Sequence, residues 1–123
     1  MARLLTVREA LRIWKQRFGG KNSPDDFRYE KEPWRVFREG MVPCLAGEGA
    51  RMGFDRVDKR NAVYFRPGGD DSDLTAELFP DTDAAVIDCM GDLYIIDRDF
   101  AWTYVHTRYP WYGPYFARRR AEH

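Results

Sequence analysis

Aspartates are the residues of this sequence whose number and spacing could do chemistry. Residues 67–99 contain nine aspartates and one glutamate but a single basic residue, Arg98. Pairs with the spacing Asp-x-Asp begin at Asp71, Asp81 and Asp97. Calcium and magnesium ions are held by carboxylate oxygens from several such positions, so a metal-dependent hydrolase or nuclease-type enzyme is one hypothesis. The EF-hand spacing is absent, and acids are common before helices and in turns, so we predict no metal site and no cofactor.

Nucleophilic chemistry has less support in the sequence. The two histidines, His106 and His123, are too few for a zinc site. A nucleophile pair formed by His106 with Cys44 or Cys89 stays open, although no motif favours it. Cys89 ends an apolar run, which is typical of a buried and unreactive thiol. The sequence therefore predicts a protein that is not an enzyme.

The zero net charge conceals three blocks of opposite sign. Residues 1–66 carry a net charge of +6, residues 67–99 carry −9, and residues 100–123 carry +3. Because like charges repel, the acidic block must either pair with basic residues of the same chain or face a basic partner. The arginines of the first helix and Arg118-Arg119-Arg120 could contact nucleic acid, but a pI of about 6.7 argues against that partner.

The expected compartment is the cytoplasm. The two cysteines lie far apart and outside any C-x-x-C motif, which favours reduced thiols over a disulfide framework. The first residues lack the apolar core of a signal peptide, and no span of about 20 apolar residues occurs that could cross a membrane. We therefore expect no membrane association.

The first third of the chain is predicted to be mainly helical. Thr6 and Glu9 have the spacing of a capping box, and the apolar residues that follow from Val7 to Phe18 recur at helical intervals. Ser23, followed by proline and two aspartates, predicts the start of a second helix. A short helix is expected over residues 34–39, ending at a glycine.

The middle of the chain is predicted to be mainly β. Residues 41–53 are glycine-rich and predict a loop. Residues 73–79 predict a short helix capped by Ser72, and Gly91-Asp92 predicts a two-residue hairpin turn. The expected strands are residues 54–57, 62–66, 84–89, 93–96 and 100–107, of which the last three form an antiparallel meander. Bulky and small residues alternate along the last strand, which favours a helix layer over one face of the sheet.

Five aromatic rings follow this meander in residues 108–116. Two prolines and a glycine exclude a regular helix or a central strand there. The segment either wraps back over the sheet or presents its rings to a partner, and tyrosine and tryptophan are enriched at interface hot spots.

The last third of the chain resembles the C-terminal end of small, functionally unassigned bacterial domain families. The resemblance rests on "GDLYIIDRDFAWTYVHT" followed by "GPYF", in which a D-x-x-F-x-W-x-x-x-x-T stretch runs into a Gly-Pro-Tyr-Phe close. The His-Glu that usually follows the threonine is replaced here by Arg108 and Tyr109. The resemblance implies a bacterial α+β domain and brings no assigned activity.

These observations predict a single α+β domain over residues 1–123, with an antiparallel sheet of about four or five strands packed with N-terminal helices. Residues 1–40 are expected to be mainly helical, residues 54–107 mainly β, and residues 108–123 an irregular aromatic tail. The leading hypothesis is a non-catalytic protein-binding module, of the immunity or antitoxin type, that neutralises a basic partner such as a toxin. A structural or oligomeric protein is a further alternative. The predicted binding residues are Asp70, Asp71, Asp73, Asp81, Asp83, Trp111 and Tyr112.

Overall fold

A computed structural model describes residues 5–18, 32–40, 42–66, 74–109 and 111–118. In these ranges the helices are Val7–Phe18 (α1), Arg35–Arg38 (α2), Glu48–Arg56 (α3) and Ala84–Ile87 (α4). The strands are Leu45–Ala46 (β1), Ala62–Phe65 (β2), Ala76–Glu77 (β3), Leu93–Asp97 (β4), Trp102–His106 (β5) and Tyr115–Arg118 (β6). The predicted single α+β domain is confirmed. The sheet has six strands within the described ranges, slightly more than predicted.

The sheet is antiparallel throughout, with the strand order β1-β6-β5-β4-β2-β3 in the described part of the chain. The strands β4, β5 and β6 follow one another as a meander, with Tyr94 opposite Val105 and Tyr104 opposite Phe116. Every residue of β4 is buried. A strand buried on both faces needs a packed layer on each side of the sheet.

The helix α1 covers one face. Its capping box forms as predicted, because the Glu9 amide donates to the Thr6 hydroxyl oxygen at 3.1 Å. Its buried stripe runs from Val7 to Phe18 and contains Trp14, whose ring meets the ring of Tyr94 edge-on at 5.1 Å. Phe37 of α2 packs against the same indole at 5.6 Å, so α1 and α2 share one core cluster.

The helices α3 and α4 cover the opposite face. Phe54 of α3 stacks on Tyr104 of β5 at 4.3 Å, and Ile87 of α4 belongs to the same buried cluster. The predicted helix layer over one face is therefore present, and a second layer, which was not predicted, covers the other face. The small residues on the first face of β5 make room for Trp14, and the rings on the second face pack under α3.

Two predictions before β2 are wrong, since the expected loop at 41–53 and strand at 54–57 are replaced by β1 and α3. Ala50 and Phe54, four positions apart, are both fully buried and form the apolar stripe of α3. The sequence analysis missed this stripe because the glycines around it indicated a loop. Gly53 is required for packing, because a Cβ atom there would lie 3.0 Å from the Phe116 ring.

Four predictions between β2 and β4 are also wrong. The described part of the expected helix at 73–79 instead contains β3, which pairs with β2. The expected strand at 84–89 is α4, begun by Asp83, whose carboxylate accepts from the Val86 amide at 3.1 Å. Gly91-Asp92 therefore joins a helix to a strand and is not a hairpin turn. Cys89 lies beyond the end of α4 and is exposed, so the predicted burial of its thiol is wrong.

The predicted aromatic tail is only partly irregular, because residues 115–118 form β6 and complete the meander. The prolines lie before this strand and not within it, which is compatible with the hydrogen bonding of β6. The predicted strands at 62–66, 93–96 and 100–107 and the helix at 34–39 are confirmed with small changes in their ends. The predicted helix start at Ser23 lies outside the described residues. No helix in the described ranges is long and apolar enough to cross a lipid bilayer.

Candidate binding surface and cleft

The predicted binding residues fall into three groups in the structure. Asp70, Asp71 and Asp73 lie outside the described residues. Asp81 and Asp83 are exposed in the segment that leads into α4. The other two, Trp111 and Tyr112, lie between β5 and β6, where Trp111 is exposed and Tyr112 half-buried.

Several carboxylates of the acidic block pair with basic residues of the same chain. Asp88 forms an ion pair with Arg51 of α3 at 2.9 Å, and Glu77 pairs with Arg98 at 3.0 Å. The carboxylate of Asp92 accepts a hydrogen bond of 2.7 Å from the backbone amide of Arg108. Exposed pairs of this kind stabilise the fold weakly, but they neutralise charge that a partner would otherwise meet. The block is therefore partly neutralised within the molecule.

Asp83 has a structural role in addition to its charge. Its carboxylate caps α4, while the carboxylate of Asp55 in α3 accepts from the Ala84 amide at 2.8 Å. These two bonds fix the short helix against α3. The capping interaction needs only a side-chain oxygen, so the negative charge of Asp83 is available to a partner.

Large apolar side chains are exposed in residues 74–90, the first described part of the acidic block, which we call the acidic segment. Phe79 is 79% exposed and Val86 is 52% exposed. Leu74 and Met90 are exposed at its two ends. Sequence reasoning missed them, because it placed Phe79 in a helix and Val86 in a buried strand. Large apolar side chains exposed among carboxylates are typical of an interaction surface.

The second exposed feature is the aromatic turn, defined here as Tyr109, Trp111 and Tyr112. The indole of Trp111 lies 5.9 Å from each tyrosine ring, and the two tyrosine rings lie 5.8 Å apart. Trp34, which is buried, contacts both tyrosines from beneath. Both alternatives that the sequence left open therefore occur in this segment. The two tyrosines pack back onto the domain, and Trp111 is exposed to a partner.

Three arginines surround the aromatic turn, and each lies over a ring. Arg108 lies over Tyr109 at 5.1 Å, and Arg38 lies over Tyr112 at 4.5 Å. Arg35 lies over the supporting Trp34 at 5.2 Å. Such cation–π contacts hold both the guanidinium and the ring in place. Sequence reasoning missed these arginines because Arg35 and Arg38 are more than seventy positions from the rings of the turn.

A cleft of about 490 Å³ joins the aromatic turn to the acidic segment. Asp88 and Cys89, at the end of α4, line one wall, and Tyr109 and Tyr112 line another. The remaining walls come from the start of α3 and the end of β5. The structure therefore brings the two separate sequence features, acidic block and aromatic segment, to the same part of the surface.

His106 lies in this cleft with a defined tautomer. Its Nδ1 is 2.6 Å from the carbonyl oxygen of Gly91, which can only accept, so Nδ1 carries the proton in the neutral ring and Nε2 is the free acceptor. Cys89 lines the same cleft, but no hydrogen bond joins its thiol to the His106 ring in the described part of the chain. Tyr104, on the same face of β5 as His106, has a buried hydroxyl without a hydrogen-bond partner in the described ranges, and burial raises its pKa.

No cluster of three His, Cys, Asp or Glu side chains that could hold a metal occurs in the described ranges. The metal-dependent alternative therefore depends on the aspartates of residues 70–73, which lie outside them.

Comparison with known proteins gives a family but no activity. A family model described as "Domain of unknown function (DUF4275)" matches residues 23–116. The chain belongs to this family. The match begins after α1 and ends within β6, so the DUF4275 region contains both the aromatic turn and the acidic segment. It agrees with the expectation of a small, functionally unassigned domain family. No curated protein and no solved structure matches this DUF4275 chain.

Proposed function

We propose that this DUF4275 protein is a non-catalytic protein-binding module, of the immunity or antitoxin type, that engages a basic partner such as a toxin. The observation that carries the proposal is the exposure of Phe79 and Val86 among carboxylates in the acidic segment. Apolar side chains in this position supply contact area, and the carboxylates around them select a partner of opposite charge.

Fewer carboxylates are available to a partner than the composition of the acidic block indicates. Asp88 and Glu77 already have arginine partners within the chain. Asp81 and Asp83 are exposed beside Phe79, and they are the described carboxylates that we assign to steering the partner. An unmatched acidic surface raises the rate of encounter with a basic protein, and salt weakens the effect.

The aromatic turn supplies the second contact region. Tyr112 lines the same cleft as Asp88, and Trp111 lies 5.9 Å from Tyr112, so a partner that covers the acidic segment also reaches the turn. Buried aromatic anchors surrounded by a charged rim are the usual arrangement of an energetic hot spot. In the proposed complex the carboxylates set the association rate, and the rings set the lifetime.

The test begins with capture of the partner from an extract of the source organism at low salt, followed by kinetics with the purified partner. The charge variant is Asp81→Asn with Asp83→Asn, in which the asparagine at 83 keeps the cap of α4. The control is Asp99→Asn, which removes an exposed charge without an arginine partner in the described ranges, beside a different concavity lined also by Arg60 and Arg118. We expect the charge variant to associate about 3- to 10-fold more slowly at low ionic strength and the control to be unchanged.

The salt dependence of the association rate distinguishes electrostatic steering from non-specific association. The difference between the charge variant and the native protein should shrink as ionic strength rises above about 0.15 M. Equal association rates for the charge variant, the control and the native protein would remove the electrostatic part of the proposal. If the Phe79→Ala variant captures the partner as well as the native protein does, the apolar part of the proposal is removed.

A further inference from the structure

We propose that the aromatic turn binds a proline-rich segment of the partner in the polyproline II conformation. The inference rests on the proposed binding function and names what the turn recognises. It depends on three properties of the turn: its rigidity, the exposure of Trp111, and the neutral charge of its surroundings.

The turn is held rigidly by the domain. The Tyr112 amide donates to the Tyr109 carbonyl oxygen at 3.1 Å, and the buried Thr107 hydroxyl lies 2.6 Å from the Tyr112 carbonyl oxygen. Trp34 supports the tyrosine rings at 6.0 and 5.7 Å. The rings therefore need little ordering when a ligand arrives, and such preorganisation lowers the entropic cost of binding.

The exposed ring has the shape and the donor that a polyproline ligand requires. Trp111 is 70% exposed, and its Nε1 has no hydrogen-bond partner in the described part of the chain. Its ring and those of the two tyrosines form a triangle in which each pair of ring centroids lies 5.8 to 5.9 Å apart. Proline rings pack against exposed aromatic rings, and the carbonyl groups of a polyproline II helix have no internal donors, so they can accept from the indole.

The charges around the turn favour a neutral ligand over an anionic one. Each of the three arginines has an acidic neighbour: Arg35 pairs with Glu32 at 2.7 Å, Arg38 with Glu39 at 2.6 Å, and the Arg108 guanidinium lies 3.9 Å from the Asp92 carboxylate. A single-stranded nucleic acid could stack on the rings, but its phosphates need unpaired positive charge along the surface. A proline-rich segment needs none.

The experiment is calorimetric titration of the native chain with a panel of synthetic peptides that have prolines at P-x-x-P spacing and varied flanking residues. Peptides in which alanine replaces each proline are the ligand controls, and a short single-stranded oligonucleotide tests the other class. The protein variants are Trp111→Ala and, as an exposed apolar side chain of α3 outside both contact regions, Met52→Ala. We expect at least one proline peptide to bind tighter than about 1 mM, and Trp111→Ala to weaken it at least about 10-fold, with Met52→Ala unchanged.

Three results would overturn the inference: no peptide of the panel binding tighter than about 1 mM, alanine peptides binding as well as proline peptides, or Trp111-dependent binding of the oligonucleotide alone. The proposed function is tested separately, because the Asp81→Asn and Asp83→Asn variant should retain peptide binding and lose steering of the partner. Loss of peptide binding with charge-dependent capture intact would remove this inference and leave the proposed function standing.

Discussion

The indole Nε1 of Trp14 donates a 2.9 Å hydrogen bond to the hydroxyl oxygen of Thr103, eighty-nine positions later in the chain. The same hydroxyl donates to the carbonyl oxygen of Ile95 at 2.8 Å. The two bonds connect α1 to β5 and β5 to β4 through one buried side chain. They explain how an indole can lie fully buried in this core, because its single polar atom has a partner.

Replacing Thr103 with valine should destabilise the protein by about 1–3 kcal/mol, because the indole N–H of Trp14 is then left without an acceptor. The free energy of unfolding in urea gives the measurement. A double-mutant cycle with Trp14→Phe isolates the bond, since phenylalanine removes the donor. If the two substitutions are additive, the hydrogen bond does not contribute as described.

Two glycines of α3 provide a matched test of packing between the helix and β6. At Gly53 a Cβ atom would lie 3.0 Å from the Phe116 ring, so Gly53→Ala should cost about 1–3 kcal/mol. At Gly49 the nearest atom is 4.0 Å away, so Gly49→Ala should stabilise the helix by roughly 0.5–1 kcal/mol. Thermal unfolding of both variants measures the contrast, and shifts of the same sign would contradict the packing of α3 on β6.

Two buried tyrosines should respond in opposite ways to loss of the hydroxyl group. The Tyr94 hydroxyl accepts from the Trp34 amide at 3.1 Å, so Tyr94→Phe should cost about 1–3 kcal/mol. The Tyr104 hydroxyl has no partner in the described ranges, so Tyr104→Phe should leave stability at pH 7 unchanged or slightly higher. Urea unfolding at pH 7 distinguishes them, and a large loss in Tyr104→Phe would show that its hydroxyl has a bonding role.

The same tyrosines predict instability at alkaline pH. Burial raises the pKa of Tyr94 well above the ordinary value near 10 and raises the pKa of Tyr104 in the same direction. The neutral phenols therefore make their full contribution to the free energy of unfolding below pH 10. This contribution is lost as the pH rises towards the pKa values of the folded state. Tyr104→Phe should lose less stability than the native protein between pH 9 and about 11. Parallel pH profiles would contradict this.

The cap of α4 predicts a difference between two substitutions of Asp83. Alanine removes the acceptor for the Val86 amide and should cost about 0.5–2 kcal/mol. Asparagine keeps an oxygen in the same position and should cost little. Chemical denaturation measures both, and equal losses would mean that charge and not capping is responsible.

The sequence by itself determined the elements whose signals are local. The capping box and apolar stripe of α1 depend on residues within twelve positions, and the strands β4 and β5 have clear β patterns. The apolar run at residues 84–89 carried no such information, because four or five apolar residues fit a strand and a helix equally well. Asp83, bonded to Val86 within the chain, and Asp55, bonded to Ala84 from α3, decide that α4 is a helix.

The candidate surface shows the same division. Sequence alone marked the acidic block and the aromatic segment as unusual and placed this chain in the α+β class. Only the tertiary structure decided that Asp88 pairs with Arg51, that Phe79 is exposed, and that Trp111 is presented while the tyrosines pack on Trp34. The reason is physical, because burial, ion pairing and the walls of a cleft depend on residues that are distant in the chain. Composition and spacing do not predict which of these distant residues come into contact.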